Sequence, residues 1–89
     1  MSSIGDRIKE LRDSQGLGRT RFAEELGVSM RTIEGIERRG SSPRGEVLEA
    51  VAKKWPQYSY WLLTGQTLPE QGQISPARAP TDPDPPGTA

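Results

Sequence analysis

The chain has 89 residues and contains neither cysteine nor histidine, so it has room for one small domain and lacks the groups for disulfides, Cys/His zinc sites and Cys-His or Ser-His-Asp catalysis. Its 12 Lys/Arg and 12 Asp/Glu give a net charge of zero, which argues against a general binder of polyanions. No apolar run reaches the roughly 18 residues of a membrane span and the first residues lack a signal-peptide pattern, so we expect a cytoplasmic protein with no membrane contact, no enzymatic activity and no cofactor or metal.

Apolar spacing predicts five short helices, and no stretch alternates long enough to predict a strand. The first helix has apolar residues three and four positions apart, which are Ile4, Ile8 and Leu11. Its predicted cap is Ser2 or Ser3, and its predicted stop is Gly16. The second helix covers about residues 19–26 and ends at Gly27, because glycine readily adopts the left-handed conformation that ends many helices.

The third helix is predicted over residues 30–38, with Ser29 as its cap and Gly40 beyond its end. A fourth helix carries apolar residues at the i, i+3, i+4 and i+7 spacing, which are Leu48, Val51, Ala52 and Trp55. Pro56 ends it, and a brief fifth helix covers about residues 59–63. The predicted fold is therefore all-α, with five helices.

Residues 66–89 contain six prolines and few large apolar groups. Such a segment buries too little apolar surface to offset the entropy lost on ordering. The chain is therefore predicted to divide at Gly65 into a folded domain, residues 1–65, and a disordered Pro-rich tail or linker, residues 66–89.

Charge is distributed unevenly between these two parts. Residues 1–65 hold 11 Lys/Arg and 9 Asp/Glu, for a net charge of +2, whereas residues 66–89 hold one arginine and three acids, for a net charge of −2. Six arginines lie in the middle of the chain: Arg19, Arg21, Arg31, Arg38, Arg39 and Arg44. A weakly positive domain must group its arginines to bind DNA, because phosphate neutralisation supplies most non-specific affinity. Composition alone favours a solvated mixed-charge surface.

Helices two and three are joined by only three residues, Gly27, Val28 and Ser29. So short a link forces two helices to cross steeply, and Gly27 gives the backbone freedom that the turn needs. This geometry lets one helix stand clear of the domain and enter a DNA major groove, which is about 12 Å wide. Short glycine links also occur in plain helical bundles, so the geometry alone leaves DNA binding open.

Two motifs add a family resemblance. Residues 22–40, FAEELGVSMRTIEGIERRG, resemble the helix-turn-helix of the lambdoid phage repressor and Cro-like family of XRE-type transcriptional regulators, whose pattern is Leu-Ala-x-x-Leu-Gly-Val-Ser-x-x-Thr-Ile-x-x-x-Glu-x-Gly. Residues 61–65, WLLTG, resemble the family's closing Trp-Leu-Leu-x-Gly. Residues 7–17 resemble its first helix and the turn that follows. The resemblance covers residues 3–65 and implies a five-helix lambda-repressor-like DNA-binding domain.

The resemblance implies a sequence-specific transcriptional regulator, a repressor that binds a pseudo-palindromic operator as a dimer through its third helix. Family base contacts match Ser29, Met30, Arg31 and Gly35. Arg31 suits bidentate hydrogen bonds to guanine, with a solvent-facing or phosphate-bound arginine as the alternative, and Met30 suits a thymine methyl. Ser29 more simply caps the helix. Gly35 has no side chain with which to contact a base. Two explanations for a glycine at this position stay open: close approach of the backbone to DNA, or drift at an exposed position.

Phosphate contacts are also implied by the resemblance. The family's phosphate grip at the start of helix two matches Arg19, preceded by Gly18 in place of the usual hydroxyl cap. Residues 38–44 are interpreted as a clamp on the DNA backbone, with donors on Arg38, Arg39, Ser41, Ser42 and Arg44. Arg39 is an insertion of one residue relative to the family pattern, so the assignment of individual residues to phosphates stays open. The alternative interpretation of residues 38–44 is a solvated charged loop that does not contact DNA.

A structural ion pair is implied as well. In the family an acid near the end of helix three pairs with an arginine of helix one, and the matching residues here are Glu37 and Arg12. We expect this pair to stabilise the domain without contacting bases.

The expected partner is double-stranded DNA, bound by a homodimer that is weak or DNA-assisted. The alternative is an antitoxin-type autoregulator that also binds a partner protein, through the tail or through a cluster of late aromatic residues: Trp55, Tyr58, Tyr60 and Trp61. For the cluster itself, ordinary core filling is the simpler interpretation. An interaction module that has lost DNA binding is a third class, which Arg19 and Arg31 argue against.

Overall fold

A computed structural model describes residues 3–76. This part of the chain forms five α-helices: α1 (Ile4–Ser14), α2 (Arg19–Leu26), α3 (Met30–Arg38), α4 (Gly45–Lys54) and α5 (Ser59–Thr64). Two short 3-10 helices, Pro56–Tyr58 and Pro69–Gln71, complete it. Residues 3–76 contain no strand, and the predicted all-α, five-helix fold is confirmed. None of the helices described is long and apolar enough to span a bilayer.

Local sequence sets the ends of the first three helices. The Ser3 hydroxyl accepts a hydrogen bond from the Asp6 N–H at 3.1 Å, and the Asp6 carboxylate accepts one from the Ser3 N–H at 3.2 Å. This reciprocal capping box satisfies donors that a helix start leaves free. Gly27 ends α2 with φ +73°, and the Ser29 hydroxyl caps α3 by accepting from the Thr32 N–H. The helix-turn-helix is therefore delimited by its own caps.

The core lies where the five helices meet. Its buried apolar residues are Ile8, Leu11, Phe22, Ala23, Leu26, Ile33, Ile36, Val47, Val51, Trp55, Tyr58, Trp61 and Leu62. The rings of Phe22 and Trp55 stack with their centroids 5.7 Å apart, which holds α2 against the end of α4. The predicted stripe of α4 is shifted: Val47 is buried, while Leu48 and Ala52 are only partly buried.

The late aromatic residues belong mostly to this core. Trp55, Tyr58 and Trp61 are 9%, 6% and 7% exposed, and Tyr60 is half-buried. Three of these four rings are therefore out of reach of another protein. The interpretation of the cluster as a partner-binding surface is wrong for them, because they fill the space beneath α4 and α5.

Residues 66–76 depart from the predicted disordered tail. They fold back as a turn in which Leu68 and Gln73 form an isolated antiparallel bridge. The Gln73 side chain then attaches this turn to the start of α5: its carbonyl accepts from the Tyr60 N–H at 2.9 Å, and its amide donates to the Pro56 carbonyl at 3.1 Å. Composition does not predict this docking, because a segment without a core of its own can still attach to a folded domain through hydrogen bonds.

The folded region consequently extends past Gly65 to Pro76. The Ile74 N–H donates to the Gln57 carbonyl at 2.9 Å, and Pro76 is fully buried. Residues 77–89, the remainder of the predicted tail, lie outside the described residues.

Candidate nucleic-acid interface

The turn between α2 and α3 exposes one face of α3. Val28 is partly buried against the core, and its N–H donates to the Ala23 carbonyl at 3.0 Å. Ile33 and Ile36 fix the inner face of α3, since both are almost completely buried. Met30, 40% exposed, and Arg31, also exposed, lie on the outer face. This short turn thus holds α2 and α3 in a rigid unit and leaves the first turn of α3 open to a ligand.

The predicted base-contacting residues differ in their surroundings. The Ser29 hydroxyl is engaged in the helix, where it accepts from the Thr32 N–H at 3.1 Å and lies 2.9 Å from the Thr32 hydroxyl. Within residues 3–76 the Arg31 guanidinium makes no ion pair or hydrogen bond. Arg31 and Met30 are therefore available to a ligand, and Ser29 is a helix cap that lies beside them.

Gly35 is buried, contrary to the expectation of an exposed position. Its cover comes from residues that follow α3: a Cβ at position 35 would lie 3.4 Å from Nη2 of Arg39 and 3.7 Å from the hydroxyl of Ser41. The backbone N–H groups of Arg39 and Ser41 both donate to the Gly35 carbonyl, each at 3.1 Å. The chain therefore folds back over Gly35, and the Arg39 side chain lies between its backbone and the outside.

Two clefts flank the outer face of α3. The first, of about 390 Å³, is lined by Arg31, Glu34, Arg38 and Arg39. The second, of about 350 Å³, lies between α3 and the segment leading into α4, and its lining includes Arg31, Arg39, Arg44 and Glu46. Arg31 and Arg39 thus line both clefts.

The arginines of the described chain fall into two groups. Most are engaged with acids or carbonyls: Arg7 with the Leu62 carbonyl, Arg12 and Arg19 with Glu37, Arg21 with Glu25, and Arg38 with Glu34. Within residues 3–76, the guanidinium groups of Arg31, Arg39 and Arg44 make no ion pair and no hydrogen bond. The three arginines whose side chains have no partner within residues 3–76 therefore all lie at the two clefts beside α3.

Glu37 binds two arginines instead of the single partner expected from the sequence. Arg12 donates to it through Nε at 2.8 Å and Nη2 at 3.0 Å, and Arg19 donates through Nε at 2.9 Å. The Glu37 side chain is 1% exposed. Its hydrogen bond with Arg12 raises the pKa of the Arg12 guanidinium. Arg12 also donates through Nη1 to the Leu17 carbonyl at 2.8 Å, which ties down the link into α2.

The contact between Arg19 and Glu37 was missed by sequence reasoning. The sequence feature that could have predicted it is an arginine at the first position of α2. A long cationic side chain there is within reach of Glu37, the acid already expected to form a structural ion pair. Arg19 binds Glu37 through Nε, and its side chain is 30% exposed, so its Nη groups take no part in this ion pair.

A second ion-pair group joins α2 to α4. Glu25 forms ion pairs with Lys54 and with Arg21, the latter at 3.2 Å. The hydrogen bonds within these ion pairs hold the pKa of the Glu25 carboxyl below its ordinary value, and the bond with Lys54 has the largest effect. Arg21 and Lys54 thus share one carboxylate of the domain.

Comparison with known proteins agrees with this geometry. The sequence model of the helix-turn-helix family matches residues 8–54. Repressor protein C of Escherichia phage P2 is 32% identical over 80 residues, which are 88% of this chain and 81% of that protein. Repressor protein CI of Enterobacteria phage phi80 is 34% identical over 71 residues, which are 80% of this chain and 30% of that protein. The chain belongs to the phage repressor-like helix-turn-helix family, a family of DNA-binding transcriptional regulators.

Proposed function

We propose that this protein is a transcriptional repressor that binds a pseudo-palindromic operator as a dimer, with α3 in the major groove. The observation that carries the proposal is the position of the unpaired arginines, since Arg31, Arg39 and Arg44 all line the clefts on the outer side of α3. A DNA phosphate or base edge would supply the acceptors that these donors lack within the described chain. The domain thus concentrates charge locally while its net charge stays low.

Base contacts are proposed for the first turn of α3. Arg31 presents a planar set of donors with no competing partner within residues 3–76, which suits bidentate hydrogen bonds to O6 and N7 of guanine. Met30 offers an apolar surface for a thymine methyl. Ser29 lies at the same end of the helix, and its hydroxyl proton is free for a base or phosphate whenever the Thr32 hydroxyl donates to Ser29.

Phosphate contacts are proposed at both ends of the helix-turn-helix. Arg19 is held through Nε by Glu37, which leaves its Nη groups for a phosphate at the start of α2. On the other side, residues 38–44 supply donors along the two clefts: Arg38 lines the first cleft, and Ser41, Ser42 and Arg44 line the second. Gripping from two sides would fix the depth and register of α3 in the groove.

The proposal that the protein binds as a dimer is based on its resemblance to the phage repressor family, whose members bind DNA as two-fold symmetric dimers. A two-fold pair places its recognition helices about one DNA turn apart, or about 34 Å. Selection of binding sites from random duplexes should therefore yield inverted repeats with half-site centres about 10 bp apart. Recovery of only single, asymmetric sites would contradict the dimer.

The same selected site tests the role of Arg31. Arg31→Ala should weaken binding to the preferred duplex by about 1 to 3 kcal/mol and flatten the preference at one base position in each half-site. Arg44→Ala is the control: the Arg44 side chain makes no ion pair or hydrogen bond within residues 3–76. Its loss should therefore weaken binding to all duplexes alike and lower the slope of log K against log salt concentration by about one. If Arg31→Ala also weakens every duplex equally, Arg31 is a phosphate contact.

A further inference from the structure

We infer that Arg39 is a second base-reading residue, and that it occupies the place on α3 that a side chain at position 35 would otherwise take. Its target is a guanine edge in the same half-site that Arg31 reads. The inference rests on the proposed function, because it takes the outer face of α3 to lie in a major groove.

Helix geometry places Arg39 over Gly35. Residues four apart lie one above the other on a helix face, so Arg31, Gly35 and Arg39 follow one line along α3. Helical side chains lean back towards the N-terminus. Arg39 does so at the end of α3: its Nη2 and Nε lie 3.4 Å and 4.0 Å from where a Cβ of residue 35 would be. The guanidinium therefore lies on the helix surface one turn beyond Arg31.

The backbone conformation does not require glycine at position 35. Gly35 lies inside a regular helix and is absent from the glycines with positive φ, so its backbone accepts any L residue. A mid-helix glycine costs roughly 1 kcal/mol relative to alanine. A Cβ at position 35 would lie in ordinary van der Waals contact with the Arg39 guanidinium, 3.4 Å from its Nη2. A longer side chain at position 35 would extend into the volume of the guanidinium and displace it.

Arg39 is both anchored and unpaired. Its N–H and that of Ser41 bind the Gly35 carbonyl, and Gly40, with φ +70°, turns the chain back between them. The backbone that carries the side chain is thus fixed, while the guanidinium makes no ion pair within residues 3–76 and lines both clefts together with Arg31. A planar set of donors, carried by this hydrogen-bonded backbone beside the base-reading turn, matches the O6 and N7 acceptors of guanine.

The neighbouring Arg38 provides a matched control. It lies one residue away and carries the same charge, but its side chain is 62% exposed and pairs with Glu34 at 3.7 Å. A general electrostatic role would make Arg38 and Arg39 equivalent. The inference requires them to differ.

The experiment measures base preference for the wild type, Arg39→Ala and Arg38→Ala on the selected site and on duplexes altered at each position. Arg39→Ala should weaken binding to the preferred site by about 5- to 150-fold and remove the preference for guanine at one position per half-site, a position other than the one lost in Arg31→Ala. Arg38→Ala should weaken all duplexes alike and keep every preference.

A double-mutant comparison tests the placement over Gly35. Gly35→Leu should keep or raise the melting temperature, since leucine favours the helix, but should remove the same guanine preference by displacing Arg39. In the Gly35→Leu background, Arg39→Ala should then cost less than about 2-fold, because coupled residues are not additive. If Gly35→Leu lowers the melting temperature, this variant no longer tests the placement of Arg39, and the base preferences of the Arg39→Ala variant decide whether Arg39 reads a base.

The outcomes separate the two proposals. If the wild type selects no sequence, the proposed function fails and this inference fails with it. If the wild type selects an operator but Arg39→Ala keeps all its base preferences, the inference is overturned and the proposed function stands. Loss of one guanine preference in Arg39→Ala, with none lost in Arg38→Ala, supports it.

Discussion

Glu37 connects three helices of the domain through its side chain. Its carboxylate on α3 accepts three hydrogen bonds, from Arg12 on α1 and from Arg19 on α2. A carboxylate that is 1% exposed would be costly to bury without such partners. The first three helices therefore meet at one buried negative charge, and Arg19 connects this structural group to the proposed phosphate contact.

Glu37→Gln should lower the free energy of unfolding by about 3 kcal/mol, because it leaves the nearly buried Arg12 guanidinium with only the exposed Asp13 carboxylate, 3.5 Å away, as a counter-charge. Urea unfolding at pH 7 measures the change. Glu49→Gln is the matched control: Glu49 pairs with Lys53 at 3.5 Å but is 68% exposed, so its loss should change stability by less than about 0.5 kcal/mol. A loss for Glu37→Gln as small as that of the control would show that the buried pair contributes little.

At the scale of elements, α2 is held to α4 by an apolar and a charged contact. Phe22 stacks on Trp55, and Glu25 pairs with Lys54. Because α4 packs against α2, it supports the helix-turn-helix unit through α2.

The charged contact predicts a measurable pKa. The pKa of Glu25 is lowered, first by its hydrogen bond with Lys54, so Lys54→Met should raise it towards the ordinary value of about 4.3. Because the folded pKa lies below the unfolded one, the pair stabilises the fold above about pH 4.3 and loses this effect as the pH falls through the folded pKa. NMR titration of the Glu25 carboxyl carbon measures it. Lys53→Met, on the adjacent residue, should leave that pKa unchanged, and an unchanged value in Lys54→Met would refute the assignment.

The sequence predicted those elements whose ends are set locally. The second and third helices, predicted over residues 19–26 and 30–38, have these same bounds, because Gly27 and Ser29 act on the adjacent backbone. The predictions were incomplete where contacts join distant residues. The packing of Val47 and the attachment of Arg19 to Glu37 depend on which helices meet. The cover over Gly35 depends on how the chain turns after α3, and apolar periodicity carries no information on that turn.

At the scale of the whole molecule, the docked segment changes where the folded region ends. Residues 66–76 bind the link between α4 and α5 through one side chain and one backbone N–H, on Gln73 and Ile74. They lie far along the chain from the helix-turn-helix. We therefore expect them to affect the stability of the domain and to leave base preference unchanged.

The extent of the folded region is tested by Gln73→Ala in the full chain. This change removes the hydrogen bonds to the Tyr60 N–H and the Pro56 carbonyl, which are worth about 1 kcal/mol each before the entropy of holding the side chain is subtracted. A net loss near 1 kcal/mol corresponds to about 4–8 °C in melting temperature for a domain of this size. Gln71→Ala, on an exposed glutamine two residues earlier, should shift the melting temperature by less than about 2 °C.

A chain ending at Gly65 should have a lower melting temperature than one ending at Pro76. It loses the hydrogen bonds of Gln73, the Ile74 hydrogen bond and the buried proline. Equal melting of these two shortened chains would mean that the segment lies on the domain without stabilising it.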